Sequence, residues 1–182
     1  MRVIGGTARG RKLKEPKDRR IRPTTDKVKE SMFDIIQFET EGRRVLDMFA
    51  GTGQLGIEAL SRGAAEAVFT EASGEAVALI RENLRTAGLE ERARVVKGDS
   101  LTSVRTLGRF GLIFLDPPYS RGLLEKALDT IFEFDILCNN GIIICEYPSE
   151  DTLPDPEPPY RLRREYLYGK IRLAVLVRED QP

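Results

Sequence analysis

Residues 45–56 read Val-Leu-Asp-Met-Phe-Ala-Gly-Thr-Gly-Gln-Leu-Gly, and this stretch decides the fold. An apolar run that leads into glycines, and then into the helical spacing of Leu55, Ile57 and Leu60, predicts a strand, a tight turn and a helix. Glycines let the backbone approach a ligand closely, and the amino end of a helix offers unpaired N–H groups. The stretch therefore predicts a loop that binds a cofactor.

Two kinds of cofactor fit this loop. Gly51, Gly53 and Gly56 have the spacing of a dinucleotide-binding motif, and Glu71 lies where an acid that binds ribose is expected, so a nicotinamide enzyme has to be considered. Asp47 favours a different cofactor, because a carboxylate at the mouth of the turn would repel a pyrophosphate and attract a cation. S-adenosylmethionine carries a sulfonium and an ammonium group and no phosphate. A phosphate-binding P-loop is disfavoured, since its Lys-Ser/Thr pair is missing.

A second motif, Asp116-Pro117-Pro118-Tyr119, follows the apolar residues 111–115. Two prolines end a strand and form a stiff loop at its carboxyl end, where open α/β sheets bind their ligands. Because proline has no N–H, this loop and the Asp116 carboxylate present acceptors, which suits a substrate amino group. Tyr119 could stack on a planar ring that carries the amine. We therefore predict that Asp116, Pro117, Pro118 and Tyr119 are catalytic.

Four acids end successive predicted strands: Asp47, Glu71, Asp99 and Asp116. Parallel strands would gather all four at one rim, where Glu71 could accept ribose hydroxyls and Asp99 an adenine amino group. Each acid taken singly could instead be a solvated strand end or a helix cap, and Asp99-Ser100 also has the pattern of a cap. The predicted cofactor-binding residues are Asp47, Phe49, Ala50, Gly51, Thr52, Gly53, Glu71, Asp99 and Ser100.

Predicted strands and helices alternate along the chain, which is typical of a doubly wound α/β sheet. Helices are expected over residues 24–38, 75–87 and 123–134, and strands are expected to end at Asp47, Glu71, Gly98, Leu115 and Glu146. Residues 163–168 and 171–177 would add an antiparallel hairpin at one edge. We expect one domain over residues 1–182, of which residues 1–22 form a basic hairpin extension.

The composition limits the chemistry and the partners. The chain has 182 residues, is 41% apolar and has a net charge of zero, which suits one soluble domain with a core of its own. It contains no histidine, so carboxylates, backbone and cofactor must perform any reaction, and no metal is expected. Cys138 and Cys145 lack metal-ligand spacing and are expected to be core thiols of a cytoplasmic protein.

The first thirty residues are strongly basic, with eleven Lys or Arg residues against four Asp or Glu residues. Such a segment is a plausible contact for a phosphate backbone, although a solvated charged tail would have the same composition. The phosphate contacts would come from Arg9, Arg11, Lys12 and Lys14. The segment Arg22-Pro23-Thr24 is either a rim element near cofactor or RNA, with Arg22 as a further RNA contact, or simply a helix start.

The two core motifs together resemble those of Rossmann-like amino methyltransferases that use S-adenosylmethionine. The opening segments Arg2-Val3-Ile4-Gly5-Gly6, Arg9-Gly10-Arg11-Lys12-Leu13 and Arg22-Pro23-Thr24 are similar to the start of the RsmD family, bacterial 16S rRNA guanine-N2 methyltransferases. This resemblance implies a class I fold with a seven-stranded, mostly parallel sheet, an antiparallel edge hairpin and an N-terminal β-hairpin. It also implies a cytoplasmic monomer whose partner is small-subunit ribosomal RNA, alone or with bound ribosomal proteins, without membrane or metal.

Other activities share the core motifs. The Asp-Pro-Pro-Tyr loop selects an amino group more than a particular ring, so adenine-N6 in DNA or a protein amide could be the acceptor instead of guanine. A nicotinamide-dependent oxidoreductase and an RNA-binding module that performs no methyl transfer are further alternatives. In the methyltransferase reading, Asp116 and the Pro117 carbonyl accept the two N–H groups of the amine and direct its lone pair toward the methyl donor.

Overall fold

The computed structural model describes residues 1–16, 26–119 and 122–179. Arg22-Pro23-Thr24 and the predicted start of the first helix lie outside these residues. The described residues form a central seven-stranded sheet with helices on both faces. The strands are β1 (Arg44–Met48), β2 (Glu66–Glu71), β3 (Ala93–Lys97), β4 (Phe110–Leu115), β5 (Leu137–Pro148), β6 (Tyr160–Tyr168) and β7 (Ile171–Arg178).

The strand order is β3-β2-β1-β4-β5-β7-β6, and β1 to β5 are parallel. Strand β7 runs antiparallel to both β5 and β6, so β6 points the same way as the first five strands. The predicted doubly wound sheet with an antiparallel edge hairpin is therefore confirmed. Because the strand order reverses between β1 and β4, their carboxyl ends open a crevice in which such folds bind ligands.

Two apolar layers cover the sheet, since the buried strands are apolar toward both faces. The helices are α1 (Asp26–Ile35), α2 (Gln54–Ser61), α3 (Gly74–Ala87), α4 (Ser100–Ser103) and α5 (Leu123–Glu133). Residues of α1, α2 and α3 pack with Val45, Phe69 and Phe114 on one face. Residues of α5 pack with Leu46 and Ile113 on the other face.

The predicted element bounds lie close to those of the structure, with larger differences at the start of β6, which begins at Tyr160 and not at Arg163, and at the end of α1. This helix ends at Ile35 and not at Phe38. The side chain of Phe38 is 90% exposed, so it gains no core contact that would extend the helix. Instead, the Glu39 N–H and the Thr40 hydroxyl both donate to the Ile36 carbonyl and close the chain into a turn.

The N-terminal segment is more firmly built into the domain than its charge suggests. The predicted hairpin closes through one antiparallel bridge, between Arg2 and Lys12, and residues 1–16 contain no strand. Val3, Ala8 and Leu13 are buried in the same apolar layer as α1 and α2. Burial of these side chains contributes on the order of 1 kcal/mol or more each and holds the basic residues on a fixed surface.

A buried ion cluster fixes this segment to α2. Glu58 accepts hydrogen bonds from the N–H groups of Ile4 and Gly5, each at 2.8 Å, and from Arg62 Nε at 2.8 Å. The fully buried Lys29 ammonium lies 3.6 Å from Glu58 and donates to the Arg2 carbonyl at 2.5 Å. Burial lowers the pKa of Lys29, and the nearby Glu58 and Asp26 carboxylates oppose that shift. The charges of the cluster compensate one another, and its hydrogen bonds hold residues 1–5 in one position against α2.

Candidate functional site

A cavity of about 590 Å³ opens at the carboxyl ends of β1, β2, β4 and β5. Its wall contains all four acids that the sequence placed at one rim, together with the glycine loop and the Asp-Pro-Pro-Tyr loop. The predicted residues in the wall are Asp47, Phe49, Ala50, Gly51, Thr52, Glu71, Asp99, Ser100, Asp116, Pro117, Pro118 and Tyr119. Gly53 is not in the cavity wall; it is the N-cap residue of α2. One concave site therefore unites the two motifs.

The loop between β1 and α2 is wound by residues in the left-handed region. Phe49, Gly51 and Gly53 have φ values of 64°, 54° and 75°. Glycine adopts this conformation freely, whereas Phe49 adopts it at a cost of about 1–3 kcal/mol. Gly56 serves another purpose, because a Cβ there would lie 2.3 Å from the Phe69 ring. The glycines thus shape the loop and let α2 approach β2 closely.

Asp47 lies beneath this loop and is 3% exposed. Its Oδ2 accepts a hydrogen bond of 2.8 Å from the Gly56 N–H, so it braces the first turn of α2. Burial raises the pKa of Asp47 to about 8, the hydrogen bond from Gly56 opposes the shift, and the charges of Asp116 and Glu71 add to it. The sequence favoured a charged Asp47 at this position. In the structure burial favours the protonated acid near neutral pH, and a nearby cation would restore the charge.

Glu71 ends β2 and accepts hydrogen bonds from two residues of the cavity wall. Its Oε2 accepts a hydrogen bond from the Gly51 N–H at 2.9 Å, and its Oε1 accepts one from the Ser73 N–H at 2.8 Å. A carboxylate oxygen can accept more than one hydrogen bond, so these contacts leave acceptor capacity toward the cavity. Glu71 therefore fixes the glycine loop and can still receive a ligand hydroxyl.

Asp99 caps a helix and also lines the cavity. Its Oδ1 accepts hydrogen bonds from the Thr102 N–H and hydroxyl, both at 2.8 Å, and so caps α4. The residue is exposed toward the cavity, and Ser100 beside it is buried. Capping orients the carboxylate without removing it from the cavity wall.

The Asp-Pro-Pro-Tyr loop forms a further part of the cavity wall. Pro117 is buried, whereas the Tyr119 ring is 54% exposed and available to an incoming planar group. The Tyr119 hydroxyl donates a hydrogen bond of 3.1 Å to Oε1 of Glu146, which orients the ring. The loop thus offers carbonyl and carboxylate acceptors beside an aromatic face.

Several residues that the sequence did not assign to the site line it or support it, among them Glu146 and Asn83. Glu146 lies near the end of β5, is 3% exposed and lines the cavity. Its signal was present, because it follows an apolar strand just as the other four acids do. Asn83, buried on α3, donates to the Thr52 carbonyl at 3.0 Å and supports the glycine loop from behind. No local pattern pointed to Asn83, since it is one of several polar residues in α3.

The predicted RNA-binding residues that the structure describes are exposed on one segment near this wall. Arg11 donates to the Thr86 carbonyl at 3.0 Å, and Lys14 pairs with Glu82 at 2.5 Å. Such exposed contacts contribute little free energy and can be exchanged for a phosphate. Arg9 and Lys12 are exposed as well. Arg22 lies outside the described residues.

Metal clusters and membrane-spanning helices are both absent from the part of the chain that the structure describes. Within residues 1–16, 26–119 and 122–179, no group of three or more Asp, Glu or Cys side chains is arranged to hold a metal ion. None of the helices in the same part of the chain combines the length and apolarity that a membrane span requires.

Comparisons with known proteins agree with the geometry. A family model described as "Conserved hypothetical protein 95" matches residues 1–177. The Bacillus subtilis protein YlbH is 39% identical over 179 residues, which cover 96% of this chain and 97% of that protein. The ribosomal RNA small subunit methyltransferase D of Escherichia coli K12 is 36% identical over 184 residues, covering 100% and 91%. The solved structure of Escherichia coli yhhF has a TM-score of 0.90 at 35% identity and covers 100% of this chain and 99% of its own.

Proposed function

Because the chain belongs to the conserved hypothetical protein 95 family, which is the RsmD family, we propose that it methylates the N2 amine of a guanine in small-subunit ribosomal RNA, with S-adenosylmethionine as donor. The observation that carries this proposal is the joining of the two motifs in one cavity. A cofactor loop on β1 and an acceptor-rich amine site after β4 face the same space. The relatives named above supply the class of RNA.

The residues of the cavity suit this cofactor. The glycine loop would hold its amino-acid part, Glu71 its ribose and Asp99 its adenine amino group. Asp47 would lie toward the cationic end, where its carboxylate favours a positive ligand and disfavours a pyrophosphate. When bound, S-adenosylmethionine supplies a methyl group on a positively charged sulfur, which is an activated donor without any metal.

The amine site would then make a poor nucleophile reactive. The lone pair of the guanine N2 amine is delocalised into the ring, so the nitrogen must become more tetrahedral before it attacks. Asp116 and the Pro117 carbonyl would accept its two N–H groups, which orients the lone pair and stabilises the positive charge that develops on nitrogen. Tyr119 would stack on the base after the base leaves its own stack, a step that costs a few kcal/mol.

The N-terminal segment would contact the RNA backbone near the cavity. Its basic residues are held on a surface whose apolar side is part of the core. Replacing Arg9 and Lys12 by alanine should weaken RNA binding without changing the affinity for S-adenosylmethionine. The slope of the logarithm of the RNA-binding constant against the logarithm of the salt concentration should decrease in magnitude by about 0.7–0.9 for each phosphate contact that is lost. We expect the protein to act as a cytoplasmic monomer on small-subunit ribosomal RNA, alone or with bound ribosomal proteins.

The decisive experiment is labelling followed by nucleoside analysis. Purified protein, methyl-labelled S-adenosylmethionine and separate samples of small ribosomal subunits, DNA and protein are incubated, and the acceptors are digested to nucleosides or amino acids. N2-methylguanosine from the subunits is the expected product. Label in N6-methyladenosine or in a protein amide would overturn the substrate assignment. Calorimetry that detects tight binding of NAD and none of S-adenosylmethionine would overturn the reaction type.

A further inference from the structure

We infer that Glu146 is a specificity-determining residue that accepts the N1–H of guanine and thereby excludes the other amino-bearing bases from the Asp116 site. This inference deepens the proposed function and rests on it. It starts from the position of Glu146, since the two motifs of the sequence do not include this residue.

The register of the sheet puts Glu146 beside the amine site. Leu115 at the end of β4 is paired with Cys145 of β5, so the next residues, Asp116 and Glu146, follow at matching positions in neighbouring segments of the sheet. Both line the cavity. Glu146 is paired with Leu173 of β7, whose side chain lies in the apolar layer on the α1 and α2 face. The Glu146 side chain is 3% exposed and lines the cavity beside this apolar layer.

Tyr119 links this carboxylate to the base. Its ring is the surface on which a planar substrate would stack, and its hydroxyl donates to Glu146 Oε1 at 3.1 Å. A carboxylate has four acceptor positions, and the contact with Tyr119 occupies one of them. A ring on Tyr119 would therefore have Asp116 and Glu146 as the two acids at its edge.

The chemistry of the bases turns this arrangement into selectivity. In guanine the amine at C2 is adjacent to N1–H, so two neighbouring groups of the same edge are donors. In adenine and cytosine the ring nitrogen next to the amine carries a lone pair instead. A carboxylate beside the amine site would bind the first pattern and repel the second, because it has no proton to donate. Asp116 accepts a hydrogen bond from the amine, and Glu146 accepts one from the neighbouring N1–H.

The test uses small subunits reconstituted with one altered base at the methylated position. This base is guanine, 2,6-diaminopurine or 2-aminopurine, and both analogues keep the C2 amine but have a lone pair at N1. Wild-type protein should methylate guanine about 10–100 times faster than either analogue at limiting substrate, as expected for the loss of one charge-assisted hydrogen bond. A ratio near one in the wild type would overturn the inference without any variant.

The variant Glu146→Gln sharpens the test. Its amide oxygen can keep the hydrogen bond from Tyr119, and its amide nitrogen can donate to an N1 lone pair. The ratio of guanine to analogue should therefore fall at least tenfold. The matched control is Glu165→Gln, which removes the charge of an acid that accepts from the Tyr147 hydroxyl outside the cavity wall, and it should leave the ratio unchanged.

The outcomes separate three ideas. If Glu146 only orients Tyr119, Tyr119→Phe will slow the reaction, Glu146→Gln will have little effect on it, and both variants will leave the ratio of the bases as it is in the wild type, which overturns the inference. If the wild type forms N2-methylguanosine but the ratio does not move in Glu146→Gln, the inference fails and the proposed function stands. If the wild type forms no N2-methylguanosine, the proposed function fails as well.

Discussion

The side-chain amide of Asn83 forms a pair of hydrogen bonds with the backbone of Lys14. Its Oδ1 accepts from the Lys14 N–H at 2.7 Å, and its Nδ2 donates to the Lys14 carbonyl at 3.1 Å. The same Nδ2 donates to the Thr52 carbonyl in the glycine loop at 3.0 Å. One buried amide therefore joins the basic N-terminal segment to the wall of the cofactor cavity.

Replacing Asn83 by alanine should lower the free energy of unfolding by about 1–3 kcal/mol, because backbone groups of Lys14 and Thr52 lose their partner. The affinity for S-adenosylmethionine should fall too, since the glycine loop loses its support. Urea denaturation and calorimetry measure the two effects. Thr86→Ala, on the same helix and more exposed, is the control and should change stability by less than about 0.5 kcal/mol.

Replacing Asp116 by alanine should lower turnover by about 100- to 1,000-fold and leave the affinity for S-adenosylmethionine nearly unchanged, because its contacts with the amine strengthen in the transition state. Single-turnover kinetics and calorimetry separate the two quantities. Asp129→Ala removes an exposed acid of α5 and should change neither. Wild-type turnover in Asp116→Ala would show that this carboxylate has no catalytic role.

Replacing Glu71 by alanine should raise the Kd for S-adenosylmethionine about 10- to 100-fold, since the ligand loses a charged acceptor and Gly51 and Ser73 lose theirs. Glu71→Gln keeps one carbonyl acceptor and should have a smaller effect. Titration calorimetry gives both values. Slower methyl transfer at saturating cofactor, combined with an unchanged Kd, would contradict the assignment of Glu71 to the ribose.

Binding of S-adenosylmethionine should release a proton from Asp47. The pKa of Asp47 in the free site is about 8, so its carboxyl is mostly protonated at pH 7, and a cation nearby favours the charged form. Affinity should therefore rise as the pH rises from 6 to 9. Calorimetry in buffers of different ionisation enthalpy counts the protons. In Asp47→Asn the proton released by Asp47 should no longer be detected, whereas any proton released by the amino group of the ligand itself should still be.

The same pKa predicts how stability depends on pH in the absence of ligand. The unfolded chain loses the Asp47 proton near pH 3.8 and the folded chain near pH 8, so the folded state binds more protons between these values. The contribution of Asp47 to stability is fully present below about pH 4 and is lost as the pH rises through about 8. Compared with the wild type, Asp47→Asn should gain stability steadily over this range. The free energy of unfolding of both proteins is measured with urea at pH 5 and at pH 9. The same difference between the two proteins at both pH values would contradict this prediction.

Much of the site was readable from local patterns. The strand, glycine turn and helix around Gly51 follow from residue spacing, and the prolines after Asp116 fix a loop without reference to the rest of the chain. The shared rim of four acids followed from one rule, that the carboxyl ends of parallel strands meet at one edge. These features depend on neighbours within a few residues and on the strand direction, both of which the sequence encodes directly.

The protonation of Asp47 and the partners of isolated residues were not readable in this way. Lys29 and Glu58 form a buried pair across two helices, and nothing in the spacing of either helix marks them as charged core residues. Asp47 could be expected at the loop but not expected to be neutral, because its pKa depends on how completely the folded chain removes it from water.

The sequence by itself determined the order of the strands along the chain, the two loops that meet at their ends and the surplus of hydrogen-bond acceptors in the loop after β4. Only the tertiary structure decided that Glu146 lies next to Asp116, that Asn83 joins residues 14 and 52, and that the basic N-terminal segment is part of the core. The reason is physical: periodicity and turn chemistry act over a few residues, whereas register and burial are set when distant segments pack together.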